Sequence, residues 1–147
     1  SYIYLEEKIQ RLNERNRLEI SIQLVGGKVT FGDAYMTRTA NHVREWARHI
    51  NPLNDTIYVT GSAEGMNVLG EAYSRVITDP LVLVRCAEFQ YRWMVSSGQV
   101  EITNSTRGNM TITHSGNGCS GDVTVEKDGN QYEYQFRYRY QNSNINN

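Results

Sequence analysis

Two cysteines, two prolines and three histidines in 147 residues leave little material for most site chemistries. No C-x-x-C or H-x-x-x-H spacing occurs, and His42 and His49 stand too far apart to share an ion, so neither a metal centre nor a cofactor is expected. The chain also lacks the lysine-terminated phosphate loop and the three-glycine dinucleotide fingerprint. No apolar run approaches the roughly 20 residues of a membrane-spanning helix. The N-terminal S-Y-I-Y-L-E-E-K lacks the basic-then-apolar layout of a secretion signal. The chain therefore reads as soluble, and as cytoplasmic unless an export signal has been removed. A charge excess is missing too: 15 Lys and Arg against 16 Asp and Glu give a net charge of −1. Nucleic acid is disfavoured as a partner, because its binders usually carry a basic excess.

What the chain does have is pattern. From Gln131 to Gln141, Tyr132, Tyr134, Phe136, Tyr138 and Tyr140 alternate with Glu133, Gln135, Arg137 and Arg139. A period of two places five rings on one face of a β-strand. Pairing across Asp128-Gly129 sets Val125 opposite Tyr132 and Val123 opposite Tyr134. Before that strand, Val100 with Ile102, Met110 with Ile112, and Val123 with Val125 suggest a meander broken by polar, glycine-containing turns. Ala87, Phe89, Tyr91, Trp93 and Val95 alternate as well, so Leu81 to Val95 reads as one long strand turned back by Ser96-Ser97-Gly98, with helix near Asp79-Pro80 as the alternative.

The first half reads as mixed. Tyr2, Leu5, Ile9 and Leu12 recur at helical spacing; Met36, Ala40, Val43, Trp46, Ala47 and Ile50 suggest a second helix stopped by Pro52. Met66, Leu69, Tyr73, Val76 and Ile77 suggest a third. Between the first two, Leu18 to Leu24 and Lys28 to Phe31 flank Gly26-Gly27 as a hairpin. The expected fold is α+β, with about three helices packed on one face of a mostly antiparallel sheet. One domain is expected over 1–147, with mixed helix and strand over 1–79, a meander over 80–141 and a polar tail over 142–147.

Three sites follow from this reading. Thr56 to Thr60 leads into Gly61, Ser62, Ala63, Glu64 and Gly65 before the expected third helix. A strand, a glycine turn and a helix start could hold an anionic ligand on backbone N–H groups. Cys119, with His114 before it and Asp122 after it, has the residue types of a thiol nucleophile; equally, Cys86 and Cys119 could form one disulfide or stay as two thiols. The tyrosine face of 132–140 suits a protein interface or self-association, since tyrosine supplies contact area with a polar tip. Together these favour a non-catalytic interaction or assembly module: an inhibitor or immunity-type protein, or a subunit of a viral or filamentous structure. A small-molecule binder or small enzyme at the Gly61 turn is the alternative.

Overall fold

The computed structural model describes the backbone of residues 4–11 and all of residues 17–135. Among these, nine strands form one antiparallel sheet whose spatial order follows chain order: β1 (Tyr4–Arg11), β2 (Arg17–Phe31), β3 (Ala34–Ala47), β4 (Thr56–Met66), β5 (Ala72–Cys86), β6 (Arg92–Asn104), β7 (Gly108–Ser115), β8 (Asp122–Lys127) and β9 (Asn130–Gln135).

The three expected helices are corrected to strand. Tyr4–Arg11 pairs with β2, residues 34–47 form β3, and residues 66–77 are divided between the end of β4, a turn at 67–71 and β5. The only helical turns among the described residues are two short 3-10 segments, Pro52–Asn54 and Ala87–Phe89. In β3 the helical spacing arose by taking apolar residues from both faces of a strand: Met36, Ala40 and Trp46 share one face, while Val43 and Ala47 lie on the other. Thr37, Thr39 and Val43 are also β-branched, which favours strand. In β5, Val76, Ile77 and Thr78 act the same way.

Two turns move as well. Gly26-Gly27 is not a hairpin but belongs to a bulge inside β2. Val25 and Gly26 together oppose Thr39, whose hydroxyl accepts the Gly26 N–H at 3.2 Å, and the chain reverses instead at Gly32-Asp33. The strand expected over Leu81 to Val95 is broken at Ala87–Phe89, and Ser96 to Gly98 continues β6 through a bulge in place of a turn. At the other end Val125 pairs with Tyr132 and Val123 with Tyr134, the register expected across Asp128-Gly129. Phe136, Tyr138, Tyr140 and the tail 142–147 lie outside the described residues.

Paired residues on neighbouring strands share a face, as do alternate residues along a strand between bulges. Followed through the registers, one face runs from Leu18, Ile20, Ile22 and Leu24 through Ala40 and Trp46 of β3 and Ile57, Val59 and Ala63 of β4. It continues through Leu81 and Leu83, Val95 and Val100, Ile112, then Val123 and Val125, to Tyr132 and Tyr134. This face is concave. Trp46 and Trp93 stand on β3 and β6 with two strands between them, so a flat sheet would separate them by about 14 Å. Their ring centroids are 6.3 Å apart, edge to face. The sheet therefore curls toward this inner face. Five of the seven buried apolar residues, Ala40, Ala63, Leu81, Val100 and Val123, lie on it. The other two, Cys86 and Met94, sit on the outer face, at the end where the β7–β8 loop is tied down by the Cys86–Cys119 disulfide.

The register irregularities at 60–61 of β4, 78–81 of β5 and 96–98 of β6 adjoin one another, in the manner of bulges that bend a sheet. Two glycines permit it. A Cβ on Gly61 would lie 2.0 Å from the Asn41 carbonyl oxygen, and one on Gly98, at φ +116°, would lie 2.5 Å from that of Pro80. Backbones approach there more closely than any side chain allows.

Gly98→Ala should therefore cost about 2–4 kcal/mol, from strain plus a forced shift of Pro80. Gly70→Ala, also at positive φ but with open space around it, should cost only about 1 kcal/mol. Urea midpoints check both, and equal losses would contradict the close approach.

Candidate functional site

The sequence-predicted sites fare differently. Gly61, Ser62, Ala63 and Glu64 lie within β4, where they pair with His42, Asn41, Ala40 and Thr39 of β3. No helix follows them, so neither a helix dipole nor a set of free terminal N–H groups exists there to hold an anion. Cys119 is bonded to Cys86 and offers no thiolate in this form. His114 and Asp122 do not converge either: His114 pairs with Val123 on the inner face, and Asp122 pairs with Gln135 on the outer face. Tyr132 and Tyr134 are exposed on the inner face, at 48% and 56%.

The registers expose a different constellation. On the strands β2 to β9 the inner face carries Arg38, Arg44, Arg75, Arg85 and Lys127, with His42 and His114, and no carboxylate among the described residues. The outer face carries eight carboxylates, Glu19, Glu45, Glu64, Asp79, Glu101, Asp122, Glu126 and Glu133, against three cations, Arg17, Lys28 and Arg92. Across β2 to β9 the sheet is thus polarised, with positive charge in excess on one face and negative charge in excess on the other.

Arg38, Arg44 and Arg75 are exposed, and none of them forms an ion pair among the described residues. They surround His42, which stands opposite Gly61. Burial holds His42 below the ordinary imidazole value of 6.5, and the charges of Arg38, Arg75 and Arg44 push in the same direction. His114 is lowered by burial and by Arg75. One arginine of β5 thus acts on histidines of both β3 and β7, each two strands away.

At one end of the inner face the Arg85 guanidinium stacks 4.4 Å above the Trp93 ring. Asp55, the single buried charged residue among those described, accepts the Trp46 indole N–H at 3.0 Å and the His49 backbone N–H at 2.7 Å. Its acceptor capacity is therefore turned to holding Trp46 in place, not to balancing the arginines. At the rim, the Glu71 carboxylate accepts from Asn67 at 2.8 Å and Asn104 at 3.2 Å and lies 3.4 Å from Arg107, tying the β4–β5 turn to the β6–β7 turn.

Two depressions accompany this arrangement, and outer-face residues make up most of the lining of each. One, of about 410 Å³, is lined by Ser115, Asp122, Thr124, Glu133 and Gln135. The other, of about 230 Å³, is lined by Thr39, Asn41, Ser62, Glu64 and Val76. Among the described residues no group of three or more potential metal ligands converges, and no helix is long and apolar enough to cross a membrane. No family model, curated protein or solved structure matches the chain. What the protein does has to be read from its own geometry.

Reduction of Cys86–Cys119, which closes a loop over a sequence separation of 33, should lower stability by about 3–4 kcal/mol. Denaturant unfolding with and without a thiol reductant checks this, and an unchanged midpoint would contradict a structural role for the bond. The two histidines set a pH dependence. Their folded values lie below 6.5, so the unfolded chain takes up protons first, and stability falls as pH drops from about 6.5 through the folded values. The double variant H42Q/H114Q should show a flatter loss than the parent between about pH 7 and pH 5 in thermal melts.

Proposed function

We propose that the chain is a non-catalytic binding or assembly module that acts by protein contact, with the inner face as its contact surface and an acidic protein surface as its partner. One observation carries this reading: on β2 to β9 the inner face carries cations and no carboxylate while carboxylates outnumber cations on the outer face, and the cation-bearing face is also the one lined with tryptophan, tyrosine and aliphatic side chains. Such a surface combines desolvating area with charge of one sign, which gives an interface both affinity and selectivity. Exposed arginines beside apolar groups favour carboxylate-bearing partners, because guanidinium groups bind carboxylates in bidentate fashion. The anionic small-molecule reading at Gly61 has no comparable support, since those residues are occupied in the sheet ladder.

Both tryptophans of the chain, Trp46 and Trp93, lie on the inner face, so tryptophan emission, excited at a wavelength that tyrosine does not absorb, reports on that face. Polyglutamate should produce a saturable change in tryptophan emission at about 0.05 M salt that weakens at least about tenfold by about 0.5 M. Polylysine, drawn to the outer face, should leave the emission unchanged. No response to polyglutamate at low salt would contradict the proposal.

A further inference from the structure

We infer that the acidic surface received by the inner face is the outer face of a second copy of this chain, so that the molecule associates face to back. This rests on the binding role proposed for the inner face and identifies its partner. Three pairings of two copies are available, and charge separates them. Inner against inner sets five cations against five, and outer against outer sets eight carboxylates with three cations against the same set. Like charges brought together across an interface are penalised, and they select against such pairings. Inner against outer alone matches opposite signs. The outward-facing carboxylates Glu64, Glu101, Glu126 and Glu133 are exposed and form no ion pair among the described residues, as is also true of Arg38, Arg44 and Arg75 on the inner face.

Shape agrees with charge. The sheet curls toward its inner face, so the outer face is convex, and two copies nest with the convex surface of one in the concave surface of the next. Stacked sheets pack about 10 Å apart when side chains interdigitate between them. The outer face supplies apolar contacts for this purpose in Tyr35, Tyr58 and Val76, each at least 36% exposed. A contact between unlike faces leaves one inner and one outer face free in every complex, so association propagates beyond a dimer until it closes into a ring or runs on as a filament.

The test uses the full chain and two charge-reversed variants, R38E/R44E/R75E on the inner face and E64R/E101R/E126R on the outer. Light scattering across a dilution series at about 0.05 M and about 0.5 M salt gives the mass of each. The parent should grow beyond a dimer with concentration at low salt and dissociate at high salt. Each variant alone should stay monomeric. Mixed in equal amounts, the variants should form a one-to-one complex, because the intact outer face of the first meets the intact inner face of the second. That complex also shows that both variants fold.

A parent that is monomeric at low salt overturns the inference, as does a mixture that stays monomeric. A dimer that saturates and is indifferent to either reversal also overturns it, in favour of a two-fold contact. If the parent is monomeric while polyglutamate still perturbs its tryptophans, face-to-back association fails and the binding role stands. If neither occurs, both fall.

Discussion

Each strand in this protein is held by the ladder of backbone hydrogen bonds to the strand next to it in the chain, and the positions of all other groups depend on that pairing. Because the order is strictly sequential, no crossover connection has to be placed among the described strands. The side-chain period of two then makes register decisive: a slip of one residue would exchange the faces. Ile20, Arg44, Val59 and Leu81 belong together only because β2 to β5 pair as they do. The bulges at Gly26 and around Gly61, Pro80 and Gly98 bend the sheet without scrambling that assignment.

Curvature gives the register its consequence. A flat nine-stranded sheet would expose both faces alike, whereas curling brings inner side chains over one another. Trp46 meets Trp93 across two intervening strands, and Arg85, paired with Trp93 on the next strand, lies on the same ring. Arginines on a concave apolar surface cost little to keep there while their heads reach water, since their stems cover neighbouring aliphatic groups. The acids of the same hairpins are sent outward by alternation alone, as the run Arg44, Glu45, Trp46 illustrates.

From Val100 to Tyr134 the meander was legible in the sequence because its turns are chemically explicit and its strands alternate cleanly. Asp128-Gly129 fixes a two-residue hairpin, and once it is placed the partners of Tyr132 and Tyr134 follow. In the first half the strands over 18–31 and 56–60 were legible, but their turn and the elements around them were not, for identifiable reasons. A strand partly covered on both faces shows apolar residues at mixed intervals, and in β3 those intervals imitate a helix. A pair of glycines reads as a turn wherever it occurs, yet Gly26-Gly27 forms a bulge and the reversal falls to Gly32-Asp33. The cationic cluster was written in the chain as Arg38, His42 and Arg44 at even positions, but that parity has meaning only for a strand. The contribution of Arg75 depended on the long-range register of β4 with β5, which no local pattern encodes.

The four methionines divide between the faces, Met36 and Met110 inner, Met66 and Met94 outer, and so report on the sign of each surface separately. The most direct measurement is methyl NMR of methionine-labelled protein with soluble paramagnetic chelates of opposite charge. An inner face of positive sign predicts that the anionic chelate broadens Met36 and Met110 more than the cationic one does, and that Met66 shows the reverse preference. Equal broadening of Met36, Met110 and Met66 by both chelates would contradict the sorting of charge by face on which the account rests.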